Sequence, residues 1–311
     1  MIAHLNGRAE ALSAFGWKGR DAEWLALVCL HSGVFLRRQY LDFLGRANPA
    51  LAHRFVKRCG KAAVEEPFSG SKLRLCRIAA RPLYRALGAE HVRHRREASA
   101  EVTLRRLLSL DYVLDHLDAP WLPTEAGKVA ALAAAGVPEH VLPGRLYQGA
   151  GRATRRHFVH KLPLALGAGR ATFVFVQAED VTESGVRTWG GQHAALWAVL
   201  RGNGCAVEAV VAGRDPARLA EAARVLDGWT REPAPAPAAP AADADAENDA
   251  IRKAVAAGDL AALEAWGGLN GALARLRELA AGRTAAGKAA AGRTRPAIDA
   301  GRTWRSRRVP E

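Results

Sequence analysis

"NPALAHRFVKRCGKAA", residues Asn48–Ala63, decides how the first half of the chain is read. Asn48 is a good helix N-cap, and Pro49 suits the first helical position, where its missing N–H costs nothing. Leu51, Phe55 and Cys59 recur every four residues and are expected to face a core. Arg54, Lys57, Arg58 and Lys61 share the other side, since residues three and four apart lie on one helical face. Gly60 is expected to end the helix at or before Lys61.

Two helices precede this stretch. "DAEWLALVCLHSG" (Asp21–Gly33) offers Asp21 as cap, Trp24, Leu25, Val28 and Cys29 at helical spacing, and Gly33 as its stop. "LRRQYLDFLG" (Leu36–Gly45) follows after a short turn, with Arg37 and Arg38 at its start. After the third helix the period changes. In "VEEPFSGSKLRLCRIAA" (Val64–Ala80) a Ser69–Gly70–Ser71 turn is flanked by residues that alternate, Leu73, Leu75 and Arg77 against Lys72, Arg74 and Cys76. Three tightly joined helices and a β-hairpin are the order of a winged helix-turn-helix. The third helix of such a domain lies in the major groove, so Arg54, Lys57, Arg58 and Lys61 become DNA-binding candidates. Lys72 and Arg74 would reach the backbone from the wing, and Arg37 and Arg38 could meet phosphate. The competing reading for all of them is a solvated basic face.

Charge distribution favours a polyanionic partner. Of the net +14, residues 1–165 carry +12, from 26 Lys/Arg against 14 Asp/Glu. Residues 166–230 carry −1 and residues 231–311 carry +3. An Arg-rich composition alone would charge every segment, and the middle one is nearly neutral. The four cysteines, Cys29, Cys59, Cys76 and Cys205, form no CxxC pair and read as free thiols of a reducing cytoplasm. No run of about 18 apolar residues predicts a membrane span, and "MIAHLNGRAEALSAFGWKGR" has no signal-peptide core.

Beyond the winged region, "RPLYRALG" (Arg81–Gly88) reads as a short closing helix, and "HVRHRRE" places Arg93, Arg95 and Arg96 in a basic cluster. "SAEVTLRRLLSLDYVLDHL" (Ser99–Leu117) and "TEAGKVAALAAAG" (Thr124–Gly136) are amphipathic helices. "HFVHKLPLAL", "ATFVFVQAED" and "CAVEAVVAG" read as strands, with "TWGGQHAALWAVLRGNG" and "DPARLAEAARVLDGW" as helices, which makes a small α/β unit. The whole is therefore expected to be a mixed α+β chain. Its parts are a winged helix over 1–98, a helical connector over 99–154 and a small α/β domain over 155–230. A Pro/Ala linker follows over 231–249, then a helical segment and basic disordered tail over 250–311.

This order resembles the plasmid replication-relaxation and mobilisation-type proteins of bacterial mobile elements. The stretches that carry it are "AEWLALVCLHSGVFLRRQYLDFLG", "LLSLDYVLDHL", "RRHFVHKLPLAL" and "FVFVQAEDVTESGVRTWGGQHAALWAVL", spanning roughly residues 15–229. The resemblance implies a cytoplasmic accessory protein of a plasmid or integrative element that binds double-stranded DNA; mobilisation or replication proteins are the further partners expected, and the α/β domain is expected to serve interaction or dimerisation, as in a homodimer. It carries no catalytic residue onto this chain.

Glu179, Asp180 and Glu183 support an enzymatic alternative, because carboxylates at a strand end can hold Mg²⁺ for phosphodiester cleavage. Such a site also needs a nearby lysine. The stretch around them has none, the next strand offers only Glu208, and Lys161 belongs to a different strand. His157, His160 and His193 lack metal-ligand spacing, and no phosphate loop or GxSxG elbow occurs. The four tyrosines, Tyr40, Tyr84, Tyr112 and Tyr147, sit by no histidine pair that would make a relaxase. The expectation is a DNA-binding protein without enzymatic activity, cofactor or metal. A scaffold that binds no DNA is the remaining alternative.

Overall fold

The computed structural model describes residues 2–5, 7–68, 73–148, 153–158, 162–177, 183–227, 242–276 and 301–306. The architecture is mixed α+β, in two compact units: residues 1–230 with 298–311, and residues 231–297.

Helix α1 (Gly19–His31) is buried almost all round, from Trp24 to His31, and so forms the centre of the first core. It begins two residues before Asp21, whose carboxylate is turned sideways: it accepts from the Tyr40 hydroxyl at 2.7 Å and pairs with Arg58. Gly33 adopts φ +75°, and a Cβ there would overlap the His94 carbonyl, so glycine is required for two reasons. Strand β1 (Val34–Leu36), α2 (Arg37–Leu44), α3 (Pro49–Cys59), β2 (Ala63–Pro67) and β3 (Arg74–Ile78) follow. The three strands form an antiparallel sheet in the order β1-β3-β2, with Val34 opposite Arg77 and Ala63 opposite Ile78. β1 is three residues long and too short to show alternation in the sequence. Trp24 meets Phe35 edge-on at 5.4 Å and Tyr40 stacks on Phe55 at 4.4 Å, so α1, β1, α2 and α3 share one aromatic core.

Helix α4 (Arg81–Ala86) closes this region, and α5 (Ala100–Asp115) follows, capped by Ser99. The expected connector is not a connector. Leu107, Leu108, Leu110 and Val113 of α5 are fully buried, and a single apolar cluster runs from Ile2 through α5 to Val176 and Ala212. The boundaries expected at 98/99 and 154/155 therefore separate no compact units, because α5 belongs to the core on both sides.

Helix α6 (Glu125–Ala134), capped by Thr124, precedes a two-stranded antiparallel hairpin, β4 (Gly144–Gln148) with β5 (Ala153–His157). The single strand expected over "HFVHKLPLAL" is divided. β5 ends at His157, Phe158 takes φ +49°, and β6 (Leu164–Gly167) starts only after Pro163. β6 pairs antiparallel with β7 (Arg170–Val176). Helix α7 (Glu183–Gly202) leads to β8 (Ala206–Gly213), and α8 (Pro216–Asp227) follows with Asp215 accepting from the Ala217 N–H at 2.9 Å. β7, β8 and a last strand, β9 (Gly301–Arg305), run parallel, in the order β6-β7-β8-β9. Both faces of β7 are buried, as in parallel sheets generally: Val174 and Val176 lie in the α5 cluster, Phe173 and Phe175 in a second cluster with Trp189 and Trp197 of α7. β9 corrects the expectation of a disordered tail over its own residues. Trp304 meets Tyr112 edge-on at 5.3 Å, and the Ser306 hydroxyl donates to the fully buried carboxylate of Asp111, which also accepts from Gln39 at 3.0 Å.

In the second unit, α9 (Ala242–Ala257) begins within the stretch expected to be an extended linker. With the single-turn α10 (Leu260–Leu263) and a helical stretch at 268–276 it buries Ile251, Leu263 and Ala272, and Arg275 pairs with Glu247 at 3.0 Å. Among the described residues no helix is long and apolar enough to cross a membrane.

Candidate nucleic-acid interface

The stretch Asn48–Ala63 opens as a helix, as its cap predicts: the Asn48 side chain accepts from the Ala50 N–H at 3.0 Å, and Pro49 is the first helical residue. Its buried row is Ala52, Phe55 and Cys59, with Leu51 half-buried, so the inward line is shifted by one residue at its start. Arg54 and Lys57 project from the opposite face and are exposed. The helix ends at Cys59, Gly60 takes φ +50°, and Lys61 sits exposed in the 3₁₀ turn that leads into β2. Arg54, Lys57 and Lys61 pair with no acid among the described residues.

Arg58 is held differently. Its guanidinium pairs with Asp21 at 3.0 Å, donates to the Gly16 carbonyl at 2.5 Å and lies 4.4 Å from the centre of the Trp17 ring. Three contacts to the segment before and at the start of α1 make it a clamp on α3. Arg37 and Arg74 converge on one carboxylate: Glu65 of β2 lies 2.6 Å from Arg37 and 3.4 Å from Arg74. Arg37 thus ties the start of α2 to the β2–β3 hairpin, and one negative charge is shared between two cations. Arg38 is half-buried beside it. Lys72 lies outside the described residues. The candidate cations that remain exposed without an acid are therefore Arg54, Lys57 and Lys61, on α3 and the turn that follows.

Arg77, legible in the sequence only as a strand residue, has a structural part. It is buried, with Glu66 at 3.7 Å and Glu97 at 3.1 Å, and it donates to the Arg95 carbonyl. Arg106 of α5 donates to the carbonyls of His94 and Arg96 at 3.1 and 3.3 Å. The backbone of the "HVRHRRE" cluster is thereby fixed against β3 and α5. Further exposed basic residues lie on the β4–β5 hairpin, at Arg145 and Arg155. Sequence reasoning does not single them out, because "GRLYQ" has too few apolar residues to show a strand period.

Of the acidic alternative, Glu179, Asp180 and Lys161 lie outside the described residues, and Glu183 opens α7. Glu208 lies opposite Thr172 near the start of β8 and accepts from its hydroxyl at 3.2 Å. From Thr172 to the end of β7 at Val176 is four residues, about 13 Å at the ordinary rise of a strand. Glu208 therefore lies towards the opposite end of the strand pair from Val176. Among the described residues no three His, Cys, Asp or Glu side chains gather as metal ligands.

The four cysteines are free thiols, three of them buried and Cys205 partly exposed. Burial pushes the Cys59 and Cys76 thiols up to about 12, so both are neutral packing groups of the core. No family model matches the chain, and neither a curated protein nor a solved structure matches it.

Proposed function

We propose that residues 1–98 contain a winged helix that binds double-stranded DNA through α3, and that the protein is a non-enzymatic accessory factor of a plasmid or integrative element. The observation that carries the reading is the placement of Arg54 and Lys57. They stand exposed, without an acid, on the third helix of a region whose element order is helix, strand, helix, helix and hairpin, with sheet order β1-β3-β2. That is the position from which a recognition helix meets base edges and phosphates. Of the other candidate cations, Arg37 and Arg58 are engaged within the protein, which sets the exposed pair apart from them. The resemblance of the sequence to replication-relaxation and mobilisation-type proteins is what suggests the biological setting.

Fluorescence anisotropy of a labelled duplex, titrated at low salt, tests the reading. The wild-type protein is expected to bind, and Arg54→Ala/Lys57→Ala to weaken binding tenfold or more, at about 1 kcal/mol or more per side chain removed. A wild-type protein that leaves anisotropy unchanged at micromolar concentration would replace the reading with that of a protein-binding scaffold.

A further inference from the structure

Among the described residues the β4–β5 hairpin is unlike the other strands: its sheet has two strands only, and Gly144, Arg145, Leu146, Tyr147 and Arg155 are exposed. A two-stranded ribbon is marginal alone, and this one is anchored at its root. The Glu125 carboxylate of α6 accepts from the His157 N–H at 2.8 Å and lies 3.4 Å from Arg156, while Glu139 lies 3.1 Å from His157 Nε2. Gly144, opposite His157, permits this root to close: a Cβ there would stand 3.1 Å from the Arg156 carbonyl oxygen. The two acids at the root thus engage Arg156 and His157, and leave Arg145 and Arg155 exposed with no acid among the described residues.

The charge is one-sided. Residues 144–157, "GRLYQGAGRATRRH", contain four arginines and no aspartate or glutamate. The register places the cations on both faces of the ribbon. Arg145 lies opposite Arg156 on one face, and Leu146 opposite Arg155 on the other. Leu146 is 57% exposed and Tyr147 43% exposed, and the Arg145 guanidinium lies 5.8 Å from the centre of the Tyr147 ring. A partner with a single flat acidic surface would need cations on one face only. A duplex groove presents phosphates on two walls, and the major groove is wide enough to admit a two-stranded ribbon.

We propose that the β4–β5 hairpin is a second arm gripping duplex DNA, with Arg145 and Arg155 on phosphates and Leu146 against the apolar edges within the groove. This rests on the reading of the protein as duplex-binding and adds a second element to it. The two fail separately in a salt series of duplex binding by the full chain. Arg145→Ala/Arg155→Ala lowers the slope of log affinity against log salt by about 1.8, since each phosphate that a cation no longer neutralises takes about 0.9 from it. Leu146→Ala weakens binding several-fold at every salt concentration and leaves the slope unchanged. Thermal unfolding of each variant matches wild type, since all three side chains are exposed. Arg145→Glu/Arg155→Glu weakens binding further at low salt. Wild-type binding with an unaltered slope in both arginine double variants overturns the hairpin proposal alone. Absence of wild-type binding overturns it together with the winged-helix reading.

Discussion

Lys57 and Arg58 are neighbours in the sequence with the same charge, and their surroundings give them different work. Lys57 is exposed without an acid, whereas Arg58 lies against Trp17, Asp21 and Gly16. Nothing in residue spacing separates the two, because the acid that claims Arg58 is 37 residues earlier. Arg58→Ala is expected to lower stability by about 1 kcal/mol, the sum of a half-exposed ion pair and a cation–π contact. Lys57→Ala is expected to leave the urea midpoint unchanged. A midpoint that falls equally for both would contradict this division. His4 offers a second residue-level outcome. It is buried against His31, ring centres 5.3 Å apart, and burial pushes its imidazole down to about 4, with the Leu117 and Ala119 backbone groups opposing. The unfolded chain protonates this histidine near its ordinary 6.5, so the unfolded state binds the extra proton between the two values. The stability His4 contributes is present above about pH 6.5 and is lost as pH falls towards 4. His4→Gln should flatten that part of a stability–pH curve, and an unchanged curve would refute the assignment.

At the scale of elements, the helices are legible in the sequence and the short strands are not. α3, α5, α6 and α8 have apolar spacing that marks them; Asn48 accepts from the first turn of α3 as the sequence suggests, and Ser99, Thr124 and Asp215 do the same for the other three. β1 is three residues inside an apolar run, and β4 carries an arginine where a core residue would reveal the period, so neither has a local signature. Asp21 has the chemistry of a cap without the role, because its tertiary partners, Tyr40 and Arg58, claim its carboxylate instead. On the interface, the α3 face is readable from helical parity alone. The neutralisation of Arg37 and Arg74 by Glu65 depends on a strand pairing that spacing does not show. Gly33, between α1 and β1, is a junction sensitive to change. Gly33→Ala adds a Cβ against the His94 carbonyl at a positive φ, and should cost about 2 kcal/mol or more in denaturant unfolding. A variant as stable as wild type would show that the turn relaxes freely.

At the scale of the molecule, the first unit is closed by residues from the far end of the chain. β9 pairs with β8 from Ala209 to Gly213, and Ser306 reaches Asp111 in the middle of α5. The Gly/Arg-rich composition around β9 conceals this, since a parallel edge strand needs little apolar sequence of its own when the sheet beside it is formed. Ser306→Ala removes a hydrogen bond to a fully buried carboxylate and should cost about 1–3 kcal/mol, readable as a fall in thermal midpoint. An unchanged midpoint would mean that the C-terminal strand adds nothing to the core. The same unit contains α3 and the β4–β5 hairpin, so both basic elements belong to one compact body, in which α3 packs into the core that α5 also enters. The central claim is that the exposed face of α3 meets duplex DNA. It is tested most directly by placing a photo-crosslinking residue at position 57 and, as a control, at the partly exposed Arg218 position of α8, then irradiating with labelled duplex. The account predicts covalent capture of the duplex from position 57 and none from position 218. Capture from neither position by a protein that binds the duplex, or equal capture from both, would contradict it.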